Sequence, residues 1–355
     1  MKAKQHLENL FRVDPDEKSR KDCLRLDMNE GVPGLPEGFV KDILSGVGPE
    51  FLATYPEYKK LREKIASYNR LKPENISLAN GSDAAVKYVF DAYISRGDKV
   101  LITDPTFAMY PVYCDMFGAK QVVVEYNDDL SFPEEDFMDK LSSGVKMAVI
   151  VNPNNPTGSV LKKETLLQVI EKARNLKTLI VVDEAYFYFY PESVIEEVKN
   201  FENLIVLRTF SKLCAMAAIR SGYAASSVEI ADNLRKVKPT YDVNGLAVLF
   251  AESLLEDPKI IARLVDATNE GKEYLISKLA EEGLEYRSGL ANFILIKCKG
   301  KTEDVKKKLA EKGILVASGF KQDFLKDYIR VTIGDRLVME KFWEVFSNIG
   351  MARNV

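Results

Sequence analysis

The stretch Thr178-Leu-Ile-Val-Val-Asp183-Glu-Ala-Tyr186 decides the fold, because an unbroken apolar run rich in β-branched residues ends on a carboxylate. Such a run is typical of a strand that is buried on both faces, as the strands of parallel sheets are. Similar runs occupy residues 99–103, 121–125, 146–151, 204–209 and 222–226. Together these runs predict the strands of one buried sheet.

Segments with helical periodicity separate the runs. Apolar residues recur at i, i+3, i+4 and i+7 within residues 86–93, and a related pattern occupies residues 167–173. Both patterns predict helices with one apolar face. Strands that alternate with helices predict βα crossovers and a sheet covered by helices on both sides.

The pattern changes after residue 240, where a smaller α+β unit is predicted. Helices are expected from residue 246 to about residue 282, followed by Gly283 as a natural stop. Further elements are predicted as a strand at 292–297, a helix at 302–312, strands at 314–316 and 328–333, and a closing helix at 338–349. No flexible Gly/Ser linker separates the two regions.

Length and composition predict a globular protein of about two domains. The chain has 355 residues, of which 46% are hydrophobic and 29% are charged, which suits a folded core and excludes a disordered chain. The formal net charge is −3, so no overall positive field would recruit nucleic acid or an anionic membrane. We expect neither as a partner.

Histidine and cysteine usage excludes several kinds of active site. The single histidine is His6, near the N-terminus, which argues against a histidine-based triad or metal site. The four cysteines form no Cys-x-x-Cys pair, so we expect reduced, mostly buried thiols and no bound metal. No signal peptide and no apolar stretch of about 18 residues is visible, and we predict a cytoplasmic protein.

Polar residues follow the predicted strands, at the edge where open α/β sheets bind ligands. Asn80-Gly-Ser-Asp83 precedes a predicted helix, so it could cap that helix or bind a phosphate. Asn152-Pro-Asn-Asn-Pro-Thr-Gly158 is either an ordinary tight loop or one whose amides face a ligand. The carboxylate of Asp183 needs a partner, which could be a ligand, a salt bridge or a helix that it caps.

Lys212 is the fourth candidate, at the end of Arg208-Thr-Phe-Ser-Lys212 and ahead of seven apolar residues. A lysine that is partly removed from water has a lowered pKa and becomes a nucleophile toward carbonyl groups. The alternative is a lysine that extends to solvent from the end of a buried element.

In order and spacing, these motifs resemble fold-type I pyridoxal 5′-phosphate (PLP) enzymes, in the histidinol-phosphate aminotransferase-like branch of class I/II aminotransferases. The likeness rests on Met28-Asn-Glu-Gly31, Tyr55-Pro56, Leu61-Arg62, Gly81-Ser-Asp83, Pro105-Thr-Phe-Ala-Met-Tyr110, Asn152 to Gly158, Val182-Asp-Glu-Ala-Tyr186, Arg208 to Lys212 with Arg220, Ala291-Asn-Phe293 and Ile329-Arg-Val-Thr-Ile-Gly334.

The resemblance implies the fold and its division into domains. It implies a three-layer α/β/α large domain, with a mostly parallel seven-stranded sheet, at residues 45–245. A small α+β domain would be formed by both termini, residues 1–44 and 246–355.

The resemblance also implies a set of catalytic and cofactor-binding roles. Lys212 would form a Schiff base with PLP and then shuttle a proton, Asp183 would pair with the pyridine nitrogen, and Tyr186 would hydrogen-bond the 3′-oxygen together with Asn155. Phe107 would stack on the ring. The phosphate would be bound by Gly81, Ser82, Asp83, Thr209, Ser211 and Arg220, and by Tyr55 from the other subunit of a homodimer.

On the substrate side, the resemblance implies that Arg330 binds an anionic group, with Asn29 and Asn155 nearby. The implied reaction transfers an amino group between a small amino donor, which is an amino acid or a phosphorylated amine, and a 2-oxo acid. A PLP-dependent decarboxylase of a phosphorylated amino acid is the nearest alternative. A non-catalytic binding module and a nicotinamide dehydrogenase are less favoured, since no Gly-x-Gly-x-x-Gly follows a strand.

Three features depart from the family pattern. Ala317 stands where relatives that act on histidinol phosphate have an arginine, and Asn29-Glu-Gly-Val-Pro33 replaces the pattern Asn-Glu-Asn-Pro. Leu213-Cys-Ala-Met-Ala217 replaces a glycine-rich turn. The missing guanidinium favours a small amino donor other than histidinol phosphate.

Overall fold

A computed structural model of the chain describes Leu7 and residues 20–351, and His6 lies outside them. The strands are β1 (Leu24–Leu26), β2 (Ile76–Ala79), β3 (Lys99–Asp104), β4 (Lys120–Glu125), β5 (Val145–Val151), β6 (Leu179–Asp183), β7 (Leu204–Thr209), β8 (Gly222–Ser226), β9 (Tyr286–Ser288), β10 (Phe293–Lys297), β11 (Ile314–Val316) and β12 (Tyr328–Thr332).

Helices occupy most of the intervening chain. They are α1 (Glu37–Ser45), α2 (Pro49–Ala53), α3 (Lys59–Tyr68), α4 (Gly81–Tyr93), α5 (Met109–Phe117), α6 (Glu134–Lys140), α7 (Lys163–Asn175), α8 (Val228–Val237), α9 (Gly245–Glu256), α10 (Pro258–Glu281), α11 (Thr302–Glu311) and α12 (Arg336–Phe346). Short 3-10 turns lie at Pro73–Asn75, Phe187–Phe189 and Ile195–Lys199, and a π turn lies at Ser347–Met351.

Seven strands form the central sheet in the order β2-β8-β7-β6-β5-β3-β4. All neighbours are parallel except β8, which runs antiparallel to both β2 and β7. The mostly parallel sheet is therefore confirmed, with β8 as the one reversed strand. The carboxyl ends of β5, β6 and β7 meet at one edge, where Val151 pairs with Asp183.

Both faces of this sheet are buried, as the continuous apolar runs predicted. Along β6, Ile180 and Val182 belong to the core under α3, α7 and α9. Leu179 and Val181 face the opposite core, which packs under α4, α5 and α8. Burying alternate residues on opposite faces explains why the run has no polar interruption, and it makes the large unit three-layered.

A smaller unit is built from both ends of the chain. Strands β9, β10 and β12 form an antiparallel sheet, and β1 pairs in parallel with β11. Leu26 of β1 shares a core with residues of α10, α11 and α12. Strand β1 has three residues and no periodic pattern, and sequence analysis did not find it.

The domain boundaries at residues 45 and 245 stay a prediction. Helix α9 packs into the core of the large sheet, and so do Ile260 and Ile261 at the start of α10. Leu275 and Leu279, further along α10, pack in the smaller core. This packing favours a second boundary inside α10.

Candidate active site

A cavity of about 230 Å³ opens where β5, β6 and β7 end. Its volume is below the ~300–1,000 Å³ of typical drug-sized pockets, so it suits a small ligand. Its walls are formed by Ser82, Asp83, Phe107, Met109, Val151, Asn155, Asp183, Ala185, Tyr186, Thr209, Ser211, Lys212 and Arg220. The residues predicted to bind the cofactor are all among them except Gly81 and Tyr55.

Asp183 is the last residue of β6. Its carboxyl group is buried, and the groups that donate hydrogen bonds to it are neutral. It is 2% exposed, and its oxygens accept hydrogen bonds from the Tyr110 hydroxyl at 2.8 Å and the Ala185 N–H at 3.1 Å. Burial raises the pKa of Asp183 to about 6, although both hydrogen bonds act in the opposite direction. A positively charged ligand atom beside this carboxyl group would therefore be stabilised.

Lys212 lies in the segment that connects β7 to β8, and its amine faces the cavity. The amine donates to the carbonyl oxygen of Met28 at 2.9 Å and lies 5.8 Å from the centroid of the Tyr186 ring. Burial, followed by the positive charge of Arg330, lowers the pKa of Lys212 to about 8. A substantial fraction of the amine is then neutral and nucleophilic near pH 8.

Helix α4 begins at the cavity with backbone N–H groups that its N-cap residue leaves free. Asn80 makes no side-chain capping bond, and its buried Oδ1 has no partner in the described part of the chain. Gly81 has φ +81, and a Cβ there would lie 2.7 Å from Nη2 of Arg220. Glycine thus lets a guanidinium approach the start of a helix, and the two together form a favourable anion site.

The Thr209 and Ser211 side chains complete the wall opposite this helix. The Thr209 hydroxyl donates to Ser211 Oγ at 3.0 Å and accepts the backbone N–H of Ser211 at 3.1 Å. Gly222 of β8 allows the close approach here, because a Cβ would lie 2.7 Å from the backbone nitrogen of Ser82. The close approach at Gly222 brings the end of β7 and the start of β8 against the start of α4.

The three asparagines of the loop after β5 have different surroundings. Asn152 bonds both the N–H and the carbonyl of Leu161, at 2.8 and 3.1 Å, and Asn154 donates to the Pro105 carbonyl at 3.1 Å. These two side chains hold the loop in shape. Asn155 alone of the three lines the cavity, and it accepts a hydrogen bond from Arg330.

Arg330 on β12 lies on the far side of Asn155, next to a second and wider cavity of about 790 Å³. Its Nη2 donates to the Asp27 carbonyl at 2.6 Å, and its buried Nε has no partner among the described residues. Phe107 and Asn155 line both cavities. An anionic group in the wider cavity would meet an incompletely bonded guanidinium.

Ala317 lies directly beside Arg330. The two residues form an antiparallel bridge, in which the Arg330 N–H bonds the Ala317 carbonyl at 2.8 Å and the reverse bond is 3.1 Å. Side chains directly opposite each other in such a pair share one face. An arginine at position 317 would therefore have stood next to the guanidinium of Arg330.

Tyr186 and Asn29 are bonded to each other. Asn29 is 1% exposed, and its Nδ2 donates to the Tyr186 hydroxyl at 2.8 Å. Burial raises the pKa of Tyr186 to about 12. Tyr186 lines the cavity and Asn29 does not, so the residue predicted to touch substrate is held behind the tyrosine.

Tyr55 is far more exposed than the other predicted site residues. Its side chain is 75% exposed and stacks on Tyr241, itself 51% exposed, with ring centroids 4.2 Å apart. It is absent from the walls of the cavity within its own chain. A contact with the cofactor would thus require a second copy of the chain.

Sequence reasoning missed two participants beside the site. Tyr110 is completely buried and bonds Asp183, and its ring packs edge-on against Phe107 with centroids 6.1 Å apart. Glu184 pairs with Arg208 behind the cavity at 2.8 Å. The motif Asp183-Glu184 carried the signal, because two buried carboxylates require two sets of partners.

Two negative findings concern the described residues. Within Leu7 and residues 20–351, no cluster of histidine, cysteine, aspartate and glutamate could hold a metal ion. None of the helices in the same residues is long and apolar enough to cross a membrane.

Comparisons with known proteins identify the family. The model of aminotransferase class I and II matches residues 40–346. The chain is 37% identical to the histidinol-phosphate aminotransferase of Caldanaerobacter subterraneus subsp. tengcongensis over 313 residues, 87% of this chain and 88% of that one. The chain belongs to the class I and II aminotransferase family.

Solved structures agree. The histidinol-phosphate aminotransferase of Clostridium acetobutylicum has a TM-score of 0.83 at 26% identity, covering 92% of this chain and 98% of that one. The Sinorhizobium meliloti enzyme of that name, solved with pyridoxal 5′-phosphate, has a TM-score of 0.84 at 22% identity, covering 98% of both chains. The predicted fold, PLP cofactor and aminotransferase activity are confirmed.

Proposed function

We propose that this aminotransferase takes its amino group from a small donor with one anionic group, which Arg330 binds, and passes it to a 2-oxo acid. The observation that carries the proposal is the shared cavity of Lys212 and Asp183, with Arg330 beside it across Asn155. A buried amine with a pKa of about 8 and a buried carboxyl with a pKa of about 6 are groups shifted toward neutral pH, as at many catalytic sites.

The residues around the cavity fit PLP. Arg220 and the uncapped start of α4 suit its phosphate, joined by the backbone of Gly81 and by the side chains of Ser82, Asp83, Thr209 and Ser211. Phe107 would cover the ring, and Asn155 and Tyr186 would hydrogen-bond its 3′-oxygen. When bound, PLP supplies an aldehyde carbon for the amine and a ring that delocalises the electrons of a broken Cα bond.

Asp183 and Lys212 would control the protons. Asp183, oriented by Tyr110 at 2.8 Å, would keep a proton on the pyridine nitrogen. Lys212 would remove the proton at the donor Cα and return it across the cavity, since its amine has a pKa of about 8 and is partly neutral at working pH. Asn155 would hold Arg330 in line with the donor.

Ala317 bears on the identity of the donor. With an alanine beside it, Arg330 provides one guanidinium, which can pair bidentately with a carboxylate, whereas the phosphate of histidinol phosphate would lack a second cationic partner at position 317. Histidinol phosphate is the substrate in the names of the relatives. We propose a donor other than histidinol phosphate, and this stays the prediction made from the sequence.

Steady-state assays with a panel of donors test the proposal. The panel pairs single-carboxylate amino acids with phosphorylated amines, including histidinol phosphate, with 2-oxoglutarate as acceptor. Formation of a 2-oxo product and of glutamate is expected, with kcat/KM for the best donor well above that for histidinol phosphate. A dominant rate with histidinol phosphate would overturn the donor assignment, and release of carbon dioxide without glutamate would replace aminotransfer by decarboxylation.

We further propose that two copies of the chain form a homodimer in which Tyr55 of one reaches the cofactor phosphate of the other. Exposed Leu52, Tyr55 and Tyr241, at 71%, 75% and 51% exposure, form the kind of apolar surface that marks interfaces. Sedimentation should report a dimer. Mixing the inactive variant Lys212→Ala with the variant Tyr55→Phe should restore activity. In a hybrid dimer, one site combines the intact Lys212 of one copy with the intact Tyr55 of the other, whereas monomers would gain nothing from mixing.

The cytoplasmic location also stays a proposal. It is supported by the four cysteines, which are all free thiols, three of them buried. Detection of the tagged chain in the cytosolic fraction of its own cells would test it.

A further inference from the structure

Asn29 is held more tightly than a surface-loop residue. Its backbone N–H donates to Thr332 Oγ1 at 3.0 Å, and its carbonyl accepts from Asn292 at 3.2 Å. Its φ is +56, in the left-handed region where asparagine is among the few tolerated residues. A buried position with left-handed backbone persists when its surroundings enforce it.

The Thr332 hydroxyl bonds both the backbone and the side chain of Asn29. The Thr332 hydroxyl already accepts the Asn29 N–H, and it has a single proton to donate. It gives that proton to Oδ1 of Asn29 at 3.3 Å. Nδ2 is therefore the atom turned toward Tyr186, and it donates to the phenol oxygen at 2.8 Å.

This bond determines what the Tyr186 hydroxyl can offer the cavity. A phenol oxygen can accept hydrogen bonds and has one proton to donate. Asn29 bonds it as a donor, and no acceptor for the phenol proton occurs among the described residues. Because Tyr186 lines the cavity, the proton is available to a ligand there.

We propose that Asn29 is a positioning residue that acts through Tyr186: its amide holds the hydroxyl as a donor toward the cofactor and does not touch the amino donor. The inference rests on the proposed role of Tyr186 at the 3′-oxygen. It revises the role expected for Asn29 from the sequence, which was contact with substrate.

The charges around Tyr186 are shared by all variants of the test except Asn29→Asp, which adds a carboxyl group. Arg330 and Asp183 interact electrostatically with its hydroxyl, and the amine of Lys212 lies over its ring. Phe293 packs edge-on at 5.7 Å and is uncharged. Asn29→Gly leaves these groups in place and adds no charge, so its effect on the cofactor spectrum reports the hydrogen bond.

The test is a pH titration of the visible absorption band of the PLP-loaded enzyme. A proton donated to the ring oxygen withdraws negative charge from it and lowers the pH midpoint of the band. Tyr186→Phe should therefore raise the midpoint. Asn29→Gly, which tolerates the left-handed backbone, should raise it by about half a unit to one unit, the equivalent of one ordinary hydrogen bond.

Two further variants distinguish the loss of this hydrogen bond from a general disturbance of the structure. Asn29→Asp keeps the shape but presents an acceptor and a negative charge, so it should draw the phenol proton away and raise the midpoint at least as much as Tyr186→Phe. Thr332→Val releases the Asn29 amide and should give a smaller rise. In the Tyr186→Phe background, Asn29→Gly should cause no further shift.

The outcomes distinguish the role of Asn29 from the role of Tyr186. A midpoint that moves with Tyr186→Phe but not with Asn29→Gly or Asn29→Asp overturns the role of Asn29 alone. Additive shifts in the double variant would also overturn it, because Asn29 would then act independently. No shift with Tyr186→Phe would refute the proposed role of the tyrosine itself.

Discussion

Asp183 and Glu184 are neighbours in the chain and equally buried, yet their surroundings differ completely. Asp183 is 2% exposed and faces the cavity, where two neutral groups donate to it. Glu184 is 3% exposed and is not among the residues that line the cavity. It accepts hydrogen bonds from Ser193, the backbone of Val194 and the guanidinium of Arg208.

Arg208 and Lys212 differ in the same way, since one is fully bonded by the protein and the other is not. Arg208 donates to Glu184, to Asn69 at 2.7 Å and to Ser193 at 2.8 Å, and it stacks on Phe187 at 3.5 Å. Lys212 donates to one carbonyl, that of Met28. Behind the cavity each charge is compensated by protein, whereas at the cavity compensation is left to a ligand. Burial alone therefore does not mark a site; burial with incomplete bonding does.

The largest effect is expected for Lys212→Met. Activity should fall by about 10⁴-fold or more, since the attacking amine is lost. Stability of the cofactor-free protein should rise at pH 7. The native state buries a charged amine below its pKa of about 8, while the unfolded chain keeps it charged up to its ordinary pKa.

The advantage of Lys212→Met should therefore shrink between pH 8 and the ordinary lysine pKa of 10.5. Urea unfolding of cofactor-free protein at pH 7 and pH 10 measures this difference. A variant less stable than the parent at pH 7 would mean that the amine has a partner in the protein.

Glu184→Gln should be the most destabilising change on the compensated side. Removing one member of a buried ion pair typically costs about 3–5 kcal/mol, and here it leaves Arg208 with a neutral partner. The loss should be the same with and without PLP, as measured by chemical denaturation. A loss below about 1 kcal/mol would contradict this prediction, because Arg208 would then be satisfied without the carboxylate.

Asp183→Asn is the matched change on the cavity side. Burial lifts the pKa of Asp183 from 3.8 to about 6, so the charged form opposes folding above pH 6 and the penalty disappears below pH 4. Cofactor-free Asp183→Asn should thus be more stable than the parent at pH 8 by at most about 3 kcal/mol. Pyridoxal phosphate should stabilise it less than it stabilises the parent.

The control for Asp183→Asn is the same pair of denaturation curves at pH 4, where the difference should fall below about 1 kcal/mol. Strong destabilisation at pH 8 would show that the protein compensates the charge of Asp183, as it does for Glu184.

Ala317→Arg should have the smallest effect, and it adds a second cation beside Arg330. KM for a phosphorylated donor should fall about tenfold, since one charge-assisted hydrogen bond is gained. KM for a donor with one carboxylate should change little. Ala317→Lys is the matched control, because it adds the charge without the planar fork. An unchanged KM for phosphorylated donors with both variants would show that their anion does not reach Arg330.

Much of the fold and most of the cavity wall could be predicted from the sequence. Buried strands read as continuous apolar runs, and the polar residues that follow Val151, Val182 and Leu207 lie at one sheet edge because parallel strands end together. Tyr110 could not be assigned, since its partner Asp183 is 73 positions away and an aromatic residue in a helix usually indicates core. The reversal of β8 was equally invisible, because an apolar strand reads the same in both directions.

The side-chain directions and hydrogen bonds within the site also depended on the fold. Asn152, Asn154 and Asn155 are chemically identical, so only the resemblance to the family singled out Asn155, which the geometry of the loop turns into the cavity. Asn29 reaches Tyr186 across 157 positions, a distance that no local pattern encodes.

The most direct test of the central claim is to trap the cofactor on the protein. The enzyme is loaded with pyridoxal phosphate, reduced with borohydride and digested, and the modified peptide is identified by mass spectrometry. One adduct on Lys212, lost in Lys212→Met while Glu184→Gln retains it, is the predicted result. An adduct spread over other lysines, or none at all, would contradict the claim that this cavity leaves its amine and carboxyl group for PLP.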